Sequence, residues 1–179
     1  MSAASPPDYP RDWERTAHTR DGILYRIRPI RPDDSERERI FIETLSPESR
    51  YTRLMSTMGT PAPELVERFV HVDYRRSMAF VGIEGSGDAE RIIAVARYAQ
   101  DRAARSEFAV AVLDEWQSRG VGAELSKLLF EYARQHGIGS LFAIILAGNR
   151  PMIDLAHWLG MTTEPSPGDP GLILASCRL

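Results

Sequence analysis

Ser106-Glu107-Phe108-Ala109-Val110-Ala111-Val112-Leu113 runs through Asp114-Glu115-Trp116 into Gln117-Ser118-Arg119-Gly120-Val121-Gly122-Ala123, and the fold turns on this passage. Its first eight residues read as a buried strand, and its last seven open a long amphipathic helix. Val121, Leu125, Leu128, Leu129, Tyr132 and Ala133 keep the spacing of one buried stripe, and Gly137 supplies the stop. A strand that turns into a helix through paired glycines suits an anion. The first N–H groups of the helix have no intrahelical partners, and the macrodipole puts partial positive charge there. Gly120 and Gly122 are expected to let the main chain approach a phosphate where a Cβ would intrude. The order of parts points to a bound pyrophosphate.

The glycine spacing separates the ligands. A nucleoside-triphosphate loop needs Lys-Ser or Lys-Thr after its last glycine, and neither follows here. A dinucleotide fingerprint needs a third glycine where Leu125 stands. What remains is Gln117-x-x-Gly120-x-Gly122-Ala123.

The surroundings fit one soluble domain. The 179 residues are 43% hydrophobic and 26% charged, enough for a real core. A net charge of −3 argues against a broad nucleic-acid surface, and no apolar run reaches membrane-spanning length. The start lacks the apolar core of a secretory signal, so a cytoplasmic location is the default. Cys177 reads as a small buried residue in a last strand. His18, His71, His136 and His157 show no metal-ligand spacing, and no metal is expected.

Along the chain, residues 1–20 are polar and Pro-rich and read as a flexible or loosely docked extension, with a single domain over 21–179. Residues 24–29 read as a half-buried first strand in which Tyr25, Arg26 and Arg28 alternate with apolar residues. A helix from Pro32-Asp33-Asp34 to about Thr44 turns Ile40, Phe41 and Leu45 inward. Ser46 caps a second helix carrying Tyr51, Leu54 and Met55 at helical spacing, and a third lies around residues 64–71. Strands are predicted at 77–84, 91–99 and 106–113, the first two joined through Gly85-Ser86-Gly87-Asp88. The apolar run 141–146 reads as a central strand buried on both faces. A helix over 151–159 and a closing strand within 171–179 complete the chain.

The loop Gln117-x-x-Gly120-x-Gly122-Ala123 after a strand carrying Glu107 resembles the acetyl-CoA loop of the GCN5-related N-acetyltransferases, the GNAT superfamily. Asn149-Arg150-Pro151-Met152, with Leu155 and Leu159-Gly160-Met161, resembles that family's second signature, Met161 replacing the usual Phe. Leu45-Ser46-Pro47-Glu48-Ser49-Arg50-Tyr51, Asp73-Tyr74, Met78-Ala79-Phe80-Val81 and Ser106-Glu107-Phe108-Ala109-Val110 look like the acetyltransferase domain of bacterial protein lysine acetyltransferases, the Pat-like enzymes. Relatives of that type often carry a fused regulatory or synthetase-like domain, which is not expected within these residues.

The resemblance implies an α/β (α+β) GNAT fold. Its mixed, mostly antiparallel sheet of six or seven strands is flanked by helices and splayed between the fourth and fifth strands, here 106–113 and 141–146. It implies acetyl-CoA as co-substrate, with the pantetheine arm pairing with Val110 and Val112. The pyrophosphate would sit on the N–H groups of Arg119, Gly120, Val121, Gly122 and Ala123, beside Gln117 and Ser118. Asn149 and Met152 would meet the arm from the other side.

Transfer to an amine needs a neutral nucleophile, and Glu107 matches the family's general base. Phe108 and the neighbouring alanines are expected to give it apolar surroundings. A tyrosine that protonates the leaving thiolate in many relatives is replaced by Ala156, so no side-chain acid is assigned; His157 reads as structural. The amide of Val110 or its neighbour would stabilise the oxyanion. Glu43, Glu48, Glu64, Glu67 and Asp73 lie where the fold covers the acceptor, either to attract a basic peptide or simply as solvated faces. The favoured acceptor is a protein lysine, with an acyl-CoA synthetase as one candidate partner. A small amine or amino acid is the alternative acceptor, and a non-catalytic acyl-CoA sensor is the alternative class.

Overall fold

The computed structural model describes residues 8–54, 61–101 and 103–179, with the backbone alone at 51–54. Among these residues one sheet holds eight strands: β1 (Arg15–His18), β2 (Leu24–Pro29), β3 (Ser77–Glu84), β4 (Arg91–Gln100), β5 (Ser106–Val112), β6 (Ser140–Leu146), β7 (Thr162–Pro165) and β8 (Leu172–Arg178). Their order is β1-β2-β3-β4-β5-β6-β8-β7, and every adjacent pair is antiparallel except β5 and β6. The helices are α1 (Ser35–Thr44), α2 (Pro47–Leu54), α3 (Pro63–Val70), α4 (Val121–Gln135) and α5 (Arg150–Trp158).

The predicted stripe of α4 is the centre of the core. Its six residues are all buried, and Tyr132 and Phe130 set their rings edge-on against Phe80 of β3 and Phe108 of β5. Side chains alternate across a strand, so Arg97, next to the inward Ala96 on β4, faces the other layer. There it reaches Glu38 of α1 at 2.6 Å and lies 4.0 Å over the Phe69 ring of α3. The sheet is therefore sandwiched, with α4 on one side and α1 and α3 on the other.

Several expectations change. The sheet has eight strands rather than six or seven, because β1 and β7 were not anticipated. The segment 1–20 is not a loose extension over its described part: Tyr9 is buried, Trp13 packs 4.9 Å from Tyr132, and β1 pairs with β2. Arg28 is buried rather than solvent-facing, since its guanidinium makes a bidentate pair with Asp34 at 2.7 and 2.6 Å. Phe41 and Leu45 are buried as expected, together with Glu38 and Ile42, but Ile40 is exposed because it lies off that i, i+3, i+4, i+7 stripe. Strand β6 is buried on one face only, because Phe142 and Ile144 line an open cleft with Arg105 and Leu174. The expected side-chain placement of Tyr51, Leu54 and Met55 lies outside the described residues.

Candidate active site

Strands β5 and β6 touch through only two parallel residue pairs, Ser106 with Leu141 and Glu107 with Phe142, and then part. Leu113 donates to the Ile93 carbonyl at 2.9 Å, extending the β4–β5 register. Residues of an antiparallel ladder alternate between facing the partner and facing away. Val112 and Val110 therefore turn their N–H and C=O groups into the gap, as an edge ready for a strand-like ligand. A cleft of about 620 Å³ runs from Glu107 past Val110 to Asn149 and Met152. A second of about 600 Å³ shares Val110 and Met152 and continues to Gln117, Ser118 and Gly122. Together they make one groove from the carboxylate to the glycine loop.

The loop carries left-handed backbone at two positions, Ser118 (φ 59°) and Gly120 (φ 92°). Only the second was legible as glycine; a serine held there costs about 1–2 kcal/mol. The first intrahelical bond of α4 runs from Glu124 N–H to the Gly120 carbonyl, at 3.0 Å. The N–H groups of Val121, Gly122 and Ala123 are thus left for an anion. The Val121 side chain is buried, so only its main chain can serve. Gly122 has a packing reason beside the expected one: a Cβ there would lie 3.1 Å from Val112 Cγ2 and 3.8 Å from Val110 Cγ2. Its missing side chain lets α4 close on β5. Arg119 turns away from the groove, toward Asp21 at 3.6 Å and the Trp116 ring at 5.6 Å.

Gln117 and Asp114 tie the loop to α2. Gln117 Nε2 donates to the Val112 carbonyl and to Ser49 Oγ, both at 3.1 Å. Asp114 accepts from the Ser46 N–H (3.0 Å), Ser46 Oγ (2.8 Å) and Ser49 Oγ (2.9 Å). Partial burial alone would raise the Asp114 carboxyl, but these donors hold it below its ordinary value. Ser46 also caps α2 as expected, its Oγ accepting from Ser49 N–H. The sequence reading missed Asp114 because its partners are far away in the chain.

Glu107 sits where the two strands part, its side chain exposed to the cleft. Phe108 does not wall it in, since it turns to the opposite face against Phe130. The aromatic neighbour of Glu107 is instead Phe142, its cross-strand partner, with Arg105 5.4 Å above the ring. Asn149 caps α5 by accepting from Met152 N–H at 3.2 Å, which leaves its NH2 group for a ligand. Ala156 is fully buried, and His157 bonds Thr163 Oγ1 at 2.8 Å rather than reaching the groove.

The acidic residues expected on the acceptor side are partly committed elsewhere. Asp73 binds the N–H groups of Arg75, Arg76 and Ser77, building a turn. Glu43 pairs with Arg39, and Glu67 with Ser35. Asp101 pairs with Arg105, and Arg102 lies outside the described residues. Burial pushes the Cys177 thiol up, as suits a residue packed against the core. Among the described residues no three His, Cys, Asp or Glu side chains group as metal ligands, and no helix is long and apolar enough to cross a membrane.

An unpaired strand edge, a groove and free helix N–H groups fit an acyl-CoA, and comparison with known proteins agrees. The family pattern described as Acetyltransferase (GNAT) family matches residues 37–161. An acetyltransferase of Pseudomonas aeruginosa is 35% identical over 150 residues, 83% of this chain and 81% of that protein. Acetyltransferase Pat of Mycolicibacterium smegmatis is 32% identical over 143 residues, 79% of this chain but 42% of that longer protein. The crystal structure of the GNAT domain of S. lividans PAT superposes with a TM-score of 0.87 at 30% identity, covering 96% of this chain and all of that one. On the splayed sheet, the glycine loop and these relatives, this chain is an acyltransferase belonging to the acetyltransferase (GNAT) family.

Proposed function

We propose that the protein transfers an acetyl group from acetyl-CoA directly to the side-chain amine of a protein lysine, with both substrates bound together and Glu107 as general base. The observation that carries this reading is the position of Glu107. It stands at the mouth of the gap between β5 and β6, at one end of a groove whose other end is the glycine loop. A lysine is neutral to only about one part in a few thousand at pH 7, so a carboxylate that removes its proton adds directly to the rate. Val110 and Val112 hold the arm of the co-substrate, the N–H groups of Val121 to Ala123 its pyrophosphate, and Asn149 and Met152 line the far wall. The leaving thiolate takes its proton from water, since Ala156 and His157 offer no acid. The lysine acceptor rests on likeness to the Pat proteins.

A second reading is a non-catalytic acyl-CoA sensor, favoured by buried Ala156 in place of a side-chain acid. One assay separates the readings: free thiol released from acetyl-CoA, followed with lysine peptides, folded acyl-CoA synthetase and small amines. Acetylated protein lysine at a rate well above the small amines supports the proposal. Binding of acetyl-CoA with no release in any arm supports the sensor.

A further inference from the structure

The tip of the β1–β2 hairpin is docked on the glycine loop. The tip itself is tightly built: Thr19 N–H donates to the Ile23 carbonyl at 2.9 Å, Ile23 N–H donates to Thr19 Oγ1 at 2.8 Å, and Gly22 N–H donates to the Thr19 carbonyl at 2.9 Å. Two contacts fasten it to the loop. Arg20 N–H donates to the Arg119 carbonyl at 3.0 Å, and Asp21 pairs with the Arg119 guanidinium at 3.6 Å. In this position the Arg20 side chain lies along Gly120. A Cβ on that glycine would be 3.5 Å from Arg20 Cγ and 3.6 Å from Arg20 Nε.

The charge balance at this junction is uneven. Asp21 compensates Arg119, the basic residue of the loop itself, and directs it away from the groove. Arg20 is exposed, and its guanidinium has no hydrogen-bond or ion-pair partner among the described residues. One uncompensated cation is therefore held, by main-chain bonds rather than by its own flexible stem, beside the loop whose N–H groups are free. A guanidinium matches phosphate oxygens well, through paired charge-assisted hydrogen bonds. Arg20 also lies outside residues 37–161, so the family pattern says nothing about it.

We infer that Arg20 is a phosphate-binding residue of the acyl-CoA site, contributed by the N-terminal hairpin and engaging the phosphorylated nucleotide end of the co-substrate. This rests on the acyl-CoA reading given above. The hairpin then has a task beyond closing the sheet edge: it brings a cation to a loop whose own arginine is paired with Asp21.

The test is calorimetric titration of the whole chain and its Arg20→Gln and Arg20→Lys variants with CoA, 3′-dephospho-CoA and acetyl-pantetheine, at low and high salt. Arg20→Gln is expected to weaken CoA at least fivefold at low salt, with the gap narrowing at high salt, and Arg20→Lys to recover part of it. Acetyl-pantetheine, which carries no phosphate, should bind both proteins alike. If the loss vanishes with 3′-dephospho-CoA, the contact is to the 3′-phosphate; if it persists, to the pyrophosphate. Equal CoA affinity in Arg20→Gln and the unaltered chain at low salt overturns the inference. So does an equal loss for acetyl-pantetheine, which would mean that the hairpin only props the loop. Failure of the unaltered chain to bind CoA at all would instead bring down the acyl-CoA reading itself.

Discussion

The carbonyl oxygen of Val112, turned into the gap between β5 and β6, accepts a hydrogen bond from Gln117 Nε2 at 3.1 Å. The loop proposed to hold a pyrophosphate is thereby fixed to the strand edge proposed to pair with the arm. A carbonyl has two lone pairs, so this bond and one from a ligand amide can coexist. Replacing Gln117 with Ala removes a tie worth about 1 kcal/mol. The expected result is a roughly fivefold weaker affinity for acetyl-CoA by calorimetry, by the same free-energy arithmetic. An unchanged affinity would mean that the loop holds its shape without the strand.

Glu107→Gln keeps the size of the side chain and one oxygen but cannot take the proton of an amine. Affinity for acetyl-CoA should stay within about threefold while turnover at pH 7 falls by about 10²- to 10⁴-fold, the span of a lost general base. The rate should recover in part toward pH 9, as more acceptor amine is already neutral. A pH–rate profile of both proteins with one good acceptor decides it. Parallel profiles of equal height would return Glu107 to an ordinary residue of a strand entrance.

Gly122→Val should harm folding and binding together. The new side chain meets Val112 Cγ2 where even a Cβ would be at 3.1 Å. Crowding of this kind costs about 1–3 kcal/mol. A lowered thermal midpoint of the ligand-free protein and a weaker acetyl-CoA affinity are both expected. Weaker binding at an unchanged midpoint would favour a direct clash with phosphate over helix–strand packing.

Arg28 and Asp34 predict the response to acid. Burial would raise the Asp34 carboxyl, but the Arg28 hydrogen bonds and charge hold it below its ordinary value. Its folded-state value is therefore lower than the unfolded one of about 3.9. Ionised Asp34 then adds stability above about pH 4, and that contribution disappears as pH falls through the folded-state value. Asp34→Asn leaves the buried Arg28 uncompensated and should cost about 3–5 kcal/mol at pH 7. Urea unfolding at pH 7 and pH 3 should show the gap between the two proteins closing in acid. A gap equally wide at pH 3 would mean that the pair adds nothing through charge.

What could be read from the sequence was what repeats or punctuates locally. Six positions of α4 declare their buried face by spacing alone, and Gly120 marks a backbone turn that a side chain resists. Contacts between distant segments leave no such mark. Asp114 and Ser46 stand 68 residues apart, and nothing around either names the other. Arg28 failed for another reason. An arginine alternating with apolar residues looks like the wet side of a strand, until a carboxylate folds over it from the next turn. Ile40 failed because the buried stripe is Glu38, Phe41, Ile42 and Leu45, and position 40 lies off that i, i+3, i+4, i+7 face. Phe108 looked like a neighbour of Glu107 in the chain, yet successive strand residues face opposite ways.

Two residue pairs join β5 to β6, so the sheet is two ladders held together at one end and open along the rest. A ligand arm in the gap would act as the missing rung between them. Slow amide exchange, normally the mark of a central strand, should therefore be absent at Val110 and Val112 in the free protein, although both lie in the interior of the sheet order. It should appear there when the arm binds, and stability should spread across the gap with it. The chain would reach its full cooperativity only with a small molecule standing in for backbone.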